Sequence, residues 1–230
     1  MKQINTEGIV LNRTDYGEAD RIITLLTPTF GKVRLIARAV RGPKSKLAGG
    51  IELFSVSEIT FIEGRGEIGT LISSRLKQHF GKIVNEIERV QLGYQLIKLL
   101  NRTTEDHTEP AYFELLEQTF LALDNSIIKA ELIRLWFVAQ LLKIAGHSPN
   151  LKTDNKDKPL EASHNYNFDF DAMALAPHSS GRYNQHHIKI LRLMFSRNTV
   201  KSINKIQRLD GPLIDCAPLF QTLLQTYITP

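Results

Sequence analysis

The hydrophobic period of the chain changes once, near residue 80, and that change limits the fold more than any other feature. Before it, "EGIVLNRT", "RIITLLT", "KVRLIARAV", "LFSVSEITFI" and "IGTLISS" are short runs rich in Val, Ile, Leu and Thr. The turn-like segments "DYGEAD", "PTFG", "GPKSKLAGG" and "EGRGE" separate them. Five short runs punctuated in this way read as strands and turns, and an OB-type barrel closes such a set economically. After residue 80 the spacing becomes helical. Ile83, Ile87, Val90, Tyr94, Ile97 and Leu100 recur at three and four, which predicts a helix over 82–101 with that row in the core. Thr108 as N-cap and Pro110 in the first turn predict a second helix to Leu123. Residues 126–145 are apolar on nearly every face, as in a centrally buried helix, and Gly146 ends it. Residues 147–165, with Pro149 and Pro159, read as an exposed loop, and "YNFDFDAMAL" as a small hairpin. Further helices are expected at 184–196, 199–208 and 212–228. The predicted class is α+β: an OB-type five-stranded barrel over 1–80, then an all-α domain over 81–230 with a loop and hairpin at about 147–178.

Charge is unevenly placed along this frame. The net charge is +5, which says little alone, but residues 21–51 and 172–209 contain no Asp or Glu. The first stretch includes Lys32, Arg34, Arg38, Arg41, Lys44 and Lys46. On a strand, Lys32, Arg34 and Arg38 share one face, with Val33, Leu35, Ala37 and Ala39 on the other, although Ile36 and Val40 break the pattern. Arg41, Lys44 and Lys46 would project from the following loop, and the whole ridge suits a phosphate backbone. The second stretch places Lys201, Lys205 and Arg208 on one helical face opposite Val200, Ile203 and Ile206, with Lys189, Arg192 and Arg197 before them. That surface suits an acidic partner segment.

Other motifs carry less. "GRGEIG" (64–69) fits GxGxxG, but a β-branched run follows it where a dinucleotide site needs a helix. Asp15, Glu18 and Asp20 could hold a metal ion, yet acids in a turn more often form the turn and balance charge. His164, His178, His186 and His187 show no metal-ligand spacing, and Trp136 reads as core. Cys216 is the only cysteine, so neither an intrachain disulfide nor a cysteine zinc cluster is available within the chain. No nucleophile motif is present, so no catalytic residue is assigned. With no secretory-type leader and no apolar run long enough for a membrane, the expected location is the cytoplasm.

Across residues 6–62 the order of motifs is distinctive. "GIVL" is followed by Tyr16, Glu18 and Asp20, then "LLT…G", "AR", the basic "KSKL", and "LF" at Leu53 and Phe54. This series resembles the N-terminal region of the RecO family of bacterial recombination mediators, and the helical remainder matches in pattern and length. The resemblance implies an OB domain packed on a helical domain and no enzymatic activity. It implies binding of single- and double-stranded DNA, annealing of complementary strands, and work with RecR. It also implies loading of RecA onto DNA coated by single-strand-binding protein, in the RecF pathway, with contact to that protein's acidic C-terminal tail. Many members carry a four-cysteine zinc site beginning with CxxC after a "GxxPxL" segment. Here Gly146, Pro149 and Leu151 match, but Asp154 and Asp157 stand where those cysteines would fall. No cofactor is therefore expected. Two readings of other classes remain: an RNA-binding OB protein, and a basic helical adaptor that binds only proteins.

Overall fold

The computed structural model describes residues 2–64, 66–104, 109–206 and 210–228. Five strands form from the β-branched runs: β1 (Gln3–Tyr16), β2 (Asp20–Thr27), β3 (Gly31–Ala37), β4 (Ser55–Ile62) and β5 (Ile68–His79). They close into a barrel in the order β1-β2-β3-β5-β4. β3 and β5 run parallel, and all other neighbours are antiparallel. Closure removes the free sheet edges, and strand alternation turns Ile23, Leu25, Leu35, Ala37, Ile59 and Leu71 into the barrel core. This is the OB-type arrangement that the strand count and spacing predict.

The chain packs as two compact units, 1–130 and 131–230. The change of period at residue 80 thus marks a change of secondary structure, whereas the packing boundary follows two helices, α1 (Ile87–Thr103) and α2 (Pro110–Leu123). Aromatic packing joins these helices to the barrel. Phe54 meets Phe120 at 5.5 Å between ring centroids, and Phe80 meets Phe120 at 5.5 Å. Gly93 makes this fit possible, since a Cβ there would sit 2.5 Å from Phe54 Cε1. Arg89 of α1 is buried and donates to the carbonyls of Leu123, Ser126 and Ile128, which ties down the end of α2.

Two expectations for these helices need correction. The buried face of α1 is Arg89, Leu92, Gly93, Leu96, Ile97 and Leu100; Ile87 is 79% exposed and Tyr94 49% exposed. Spacing alone admitted two overlapping rows, and the row that accommodates Phe54 against Gly93 is the one buried. Thr108, the expected N-cap, lies outside the described residues, and α2 begins at Pro110 behind an extended Glu109.

Unit 131–230 is built around α3 (Ala130–Ile144), in which nine side chains are buried. Trp136 is one of them, and its indole N–H donates to Asn198 O at 3.0 Å. The unit is not all helical. Strands β6 (Asn150–Asp154), β7 (Tyr166–Asp169) and β8 (Ala174–Pro177) form a sheet of order β6-β8-β7. β7 and β8 are the expected hairpin. β6 lies in the stretch read as exposed loop; it buries only Leu151 and Asp154, too few for alternation to reveal it. Helices α4 (Gln185–Met194), α5 (Val200–Ile203) and α6 (Asp210–Tyr227) follow. Leu213, Cys216, Leu219, Phe220 and Leu223 make the buried stripe of α6. α5 is capped by the Thr199 side chain and stops at Ile203, shorter than the helix expected over 199–208. Asn204 follows it, a residue whose side chain competes for backbone hydrogen bonds and disfavours helix interiors.

Candidate nucleic-acid interface

The basic segment begins on β3 and leaves it sooner than alternation suggests. β3 ends at Ala37, so Arg38 belongs to a turn and does not share the strand face of Lys32 and Arg34. Ala39, expected on the apolar face, is exposed at φ +51°, and Val40 is 3% exposed in the barrel core instead. The left-handed residue reverses the in–out order, which a strand pattern cannot anticipate. Asp20 Oδ1 accepts the Ala39 N–H at 2.7 Å, and Ala19 O accepts the Arg41 N–H at 3.0 Å. At the far end of the loop, Ser74 Oγ donates to Leu47 O at 2.8 Å. The loop is therefore pinned to β2 at one end and β5 at the other.

The six expected contact residues fall into two groups. Lys32 donates to Asn101 O at 2.9 Å, at the C-terminal turn of α1. Arg34 lies 3.7 Å from Glu67, and Arg41 3.5 Å from Asp15. Arg38, Lys44 and Lys46 are exposed, and among the described residues no acid lies within ion-pair distance of them. The C-terminal half of β5 behaves otherwise. There Arg75 pairs with Glu58 at 2.6 Å and Lys77 with Glu7. The 38–46 loop thus carries three exposed cations, Arg38, Lys44 and Lys46, without an ion-pair partner among the described residues.

Two of the three acids of "DYGEAD" are occupied. Asp15 accepts from Arg21 Nε at 2.8 Å and lies beside Arg41, while Asp20 caps Ala39. The Arg21 hydrogen bond, with the neighbouring arginine charges, holds the Asp15 carboxyl below its ordinary value. The glycine-rich segment is the turn between β4 and β5, and no helix follows it. A Cβ on Gly64 would lie 2.1 Å from Ile68 O, so close backbone approach explains that glycine.

In unit 131–230, Lys189 is exposed, and Arg192 Nε donates to Leu151 O at 2.8 Å. Both border a cleft of about 100 Å³ with Leu160, Glu161 and Ile188. Lys201 is exposed on α5, but Lys205 lies in the turn after it, so the two do not share a helical face. Arg208 lies outside the described residues.

The donors present do not suit a thiolate zinc site. Asp154 Oδ1 accepts N–H groups from Lys156 at 2.8 Å and Lys158 at 2.9 Å, which closes the turn after β6. Those bonds, the Lys158 one foremost, hold its carboxyl below the usual range. Asp157 serves the same turn at φ +60°. Cys216 is fully buried, and burial pushes its thiol up to about 12, far from the thiolate a metal requires. His187 is committed to the Asn184 cap and to Asp215 at 3.3 Å.

Periodicity concealed one group of residues. Tyr94, assigned to the core by spacing, is half exposed and continues through Lys98 and Arg102 along the outer face of α1. The i, i+4, i+8 ladder of one aromatic and two cations was the available signal.

A closed five-stranded barrel with a basic loop between its third and fourth strands defines the class of OB-type barrel proteins. Residues 1–80 match the family described as "Recombination protein O N terminal", and residues 84–224 match "Recombination protein O C terminal". A "DNA repair protein RecO" of Dehalococcoides mccartyi (strain ATCC BAA-2266) is 35% identical over 217 residues, covering 91% of this chain and 80% of the relative. That of Halalkalibacterium halodurans is 34% identical over 146 residues, covering 63% of this chain and 57% of the relative. The chain belongs to the RecO family of DNA repair proteins. Among its described residues, no helix is long and apolar enough to cross a membrane.

Proposed function

We propose that this protein holds DNA strands by their phosphates along the 38–46 loop and mediates repair and recombination by binding, without catalysis. The observation that carries the reading is the unmatched charge of Arg38, Lys44 and Lys46 on a loop fixed at both ends. Phosphate contacts hold any sequence equally, which suits a protein that must bring together strands of arbitrary sequence. Annealing of complementary single strands is the activity this reading assigns. Joint action with RecR, and loading of RecA onto DNA coated by single-strand-binding protein, are its cellular setting. For the acidic tail of that coating protein, the reading assigns unit 131–230, with Lys189, Arg192, Lys201 and Lys205 as the favoured cations.

Annealing of labelled complementary oligonucleotides, with and without the coating protein, tests this. The parent chain should speed annealing in both settings, and R38A/K44A/K46A should lose most of that acceleration. A parent chain that leaves annealing unchanged would overturn the assignment.

A further inference from the structure

A second basic surface lies in unit 1–130, lined by none of the loop's residues. β1 carries a bulge at Leu11, since Val10 pairs with Leu25 and Asn12 with Thr24. The extra residue re-aims the strand beyond it, and a cleft of about 520 Å³ opens there against α1. Its apolar floor is Leu11, Leu53 and Ile97. Its rim holds Arg13, Tyr94, Lys98 and Arg102, and among the described residues no Asp or Glu lines it. Arg13 is anchored by Glu52 at 3.0 Å. Lys98 and Arg102 are exposed and, among the described residues, lie within ion-pair distance of no acid. Cations near a helix C-terminus are favoured by the macrodipole, which accounts for Arg102. It does not account for an aromatic ring left 49% exposed beside an apolar floor.

We propose that this cleft is a second nucleic-acid site, in which Tyr94 stacks an unpaired base and Lys98 and Arg102 hold the adjoining phosphates. The proposal rests on the reading that the protein binds nucleic acid. Steps of four residues along α1 advance by about 6 Å, so ring, ammonium and guanidinium succeed one another in line. A single strand offers both a base face for the ring and phosphates for the two cations, whereas an acidic peptide's carboxylates give the ring no such partner. Asn101, which lines the cleft, accepts the Lys32 ammonium at 2.9 Å through its carbonyl. Tyr94 is held upright for stacking by an edge contact with Phe54 at 5.4 Å between centroids. Aromatic faces accept any base, so the site adds grip on single strands without sequence preference.

The test measures affinity of the full chain for an oligothymidylate and for an abasic strand of equal length, over a range of salt. K98A/R102A should lower the log–log salt slope by about 1.4 for both strands, at ~0.7 per lost contact. Tyr94→Leu keeps apolar packing against Phe54 but removes the ring. It should weaken oligothymidylate binding at least about fivefold, the low end for one stacked base, and leave the abasic strand unchanged. Tyr94→Phe should bind as the parent does. Equal losses on both strands for Tyr94→Leu would overturn the stacking assignment. Parent-like binding by both cleft variants, while R38A/K44A/K46A binds weakly, would overturn the cleft and leave the loop reading standing; the reverse pattern would do the opposite. A parent that binds neither strand overturns both. An acidic nonapeptide that binds through Lys98 and Arg102, with oligonucleotide binding unaffected by their loss, would make the cleft a protein-docking site and overturn the proposal.

Discussion

Arg89 and Arg38 carry the same charge into opposite surroundings. Arg89 is 5% exposed and gives its guanidinium to three carbonyls and to Glu86. Arg89→Ala leaves buried acceptors without donors, at ~1–3 kcal/mol each. Denaturant unfolding should show a loss of roughly 3 kcal/mol or more, and a loss within error would contradict the assignment. Arg38 has no such ties among the described residues. Between these extremes, Arg41 is partly neutralised by Asp15. Asp15→Asn should therefore tighten DNA binding at low salt and steepen its salt dependence, read by titration against the parent. The sign with pH follows from the lowered Asp15 pKa. A depressed carboxyl stabilises above its unfolded value, near 3.8, and loses that contribution as pH falls through the folded value. The Asp15 pairing thus persists at neutral pH and fails only in acid.

At the scale of elements, the join of α1 to the barrel turns on Gly93. Alanine is the better helix former by ~1 kcal/mol, yet its Cβ would press on the Phe54 ring. Gly93→Ala should cost stability, by about 1–3 kcal/mol as in overpacked cores, and thermal unfolding would show which effect prevails. Strong local periodicity made the barrel strands, α2, α3 and the β7–β8 hairpin legible in the sequence. Positions decided by tertiary context were not. The burial of Val40 follows from a left-handed Ala39, and the exposure of Tyr94 from where Phe54 seats on α1. β6 is held by pairing with β8, a parallel partner distant in sequence. For the site, the acid-free segment drew attention to a loop whose Arg38, Lys44 and Lys46 the fold leaves exposed. It could not show that Asp15, Glu67 and Asn101 already engage half of its expected contacts.

On the scale of the whole molecule, the turn after β6 is where the resemblance implies a zinc site in many family members. Here Asp154 closes that turn through backbone N–H groups. Elemental analysis should find well below one zinc per chain, and chelator should leave the melting temperature unchanged; a stoichiometric zinc whose removal lowers it would contradict this. Asp154→Ala, by contrast, should lower the melting temperature. On the proposed reading, Arg38, Lys44 and Lys46 meet phosphates. The most direct measurement of that reading is the salt dependence of single-strand DNA affinity for the parent and for R38A/K44A/K46A. With ~0.7 counterions released per contact, the variant's log–log slope should be shallower by about 2, with similar losses on unrelated sequences. A slope and affinity equal to the parent's at every salt concentration would contradict the account and leave the loop a solvated surface.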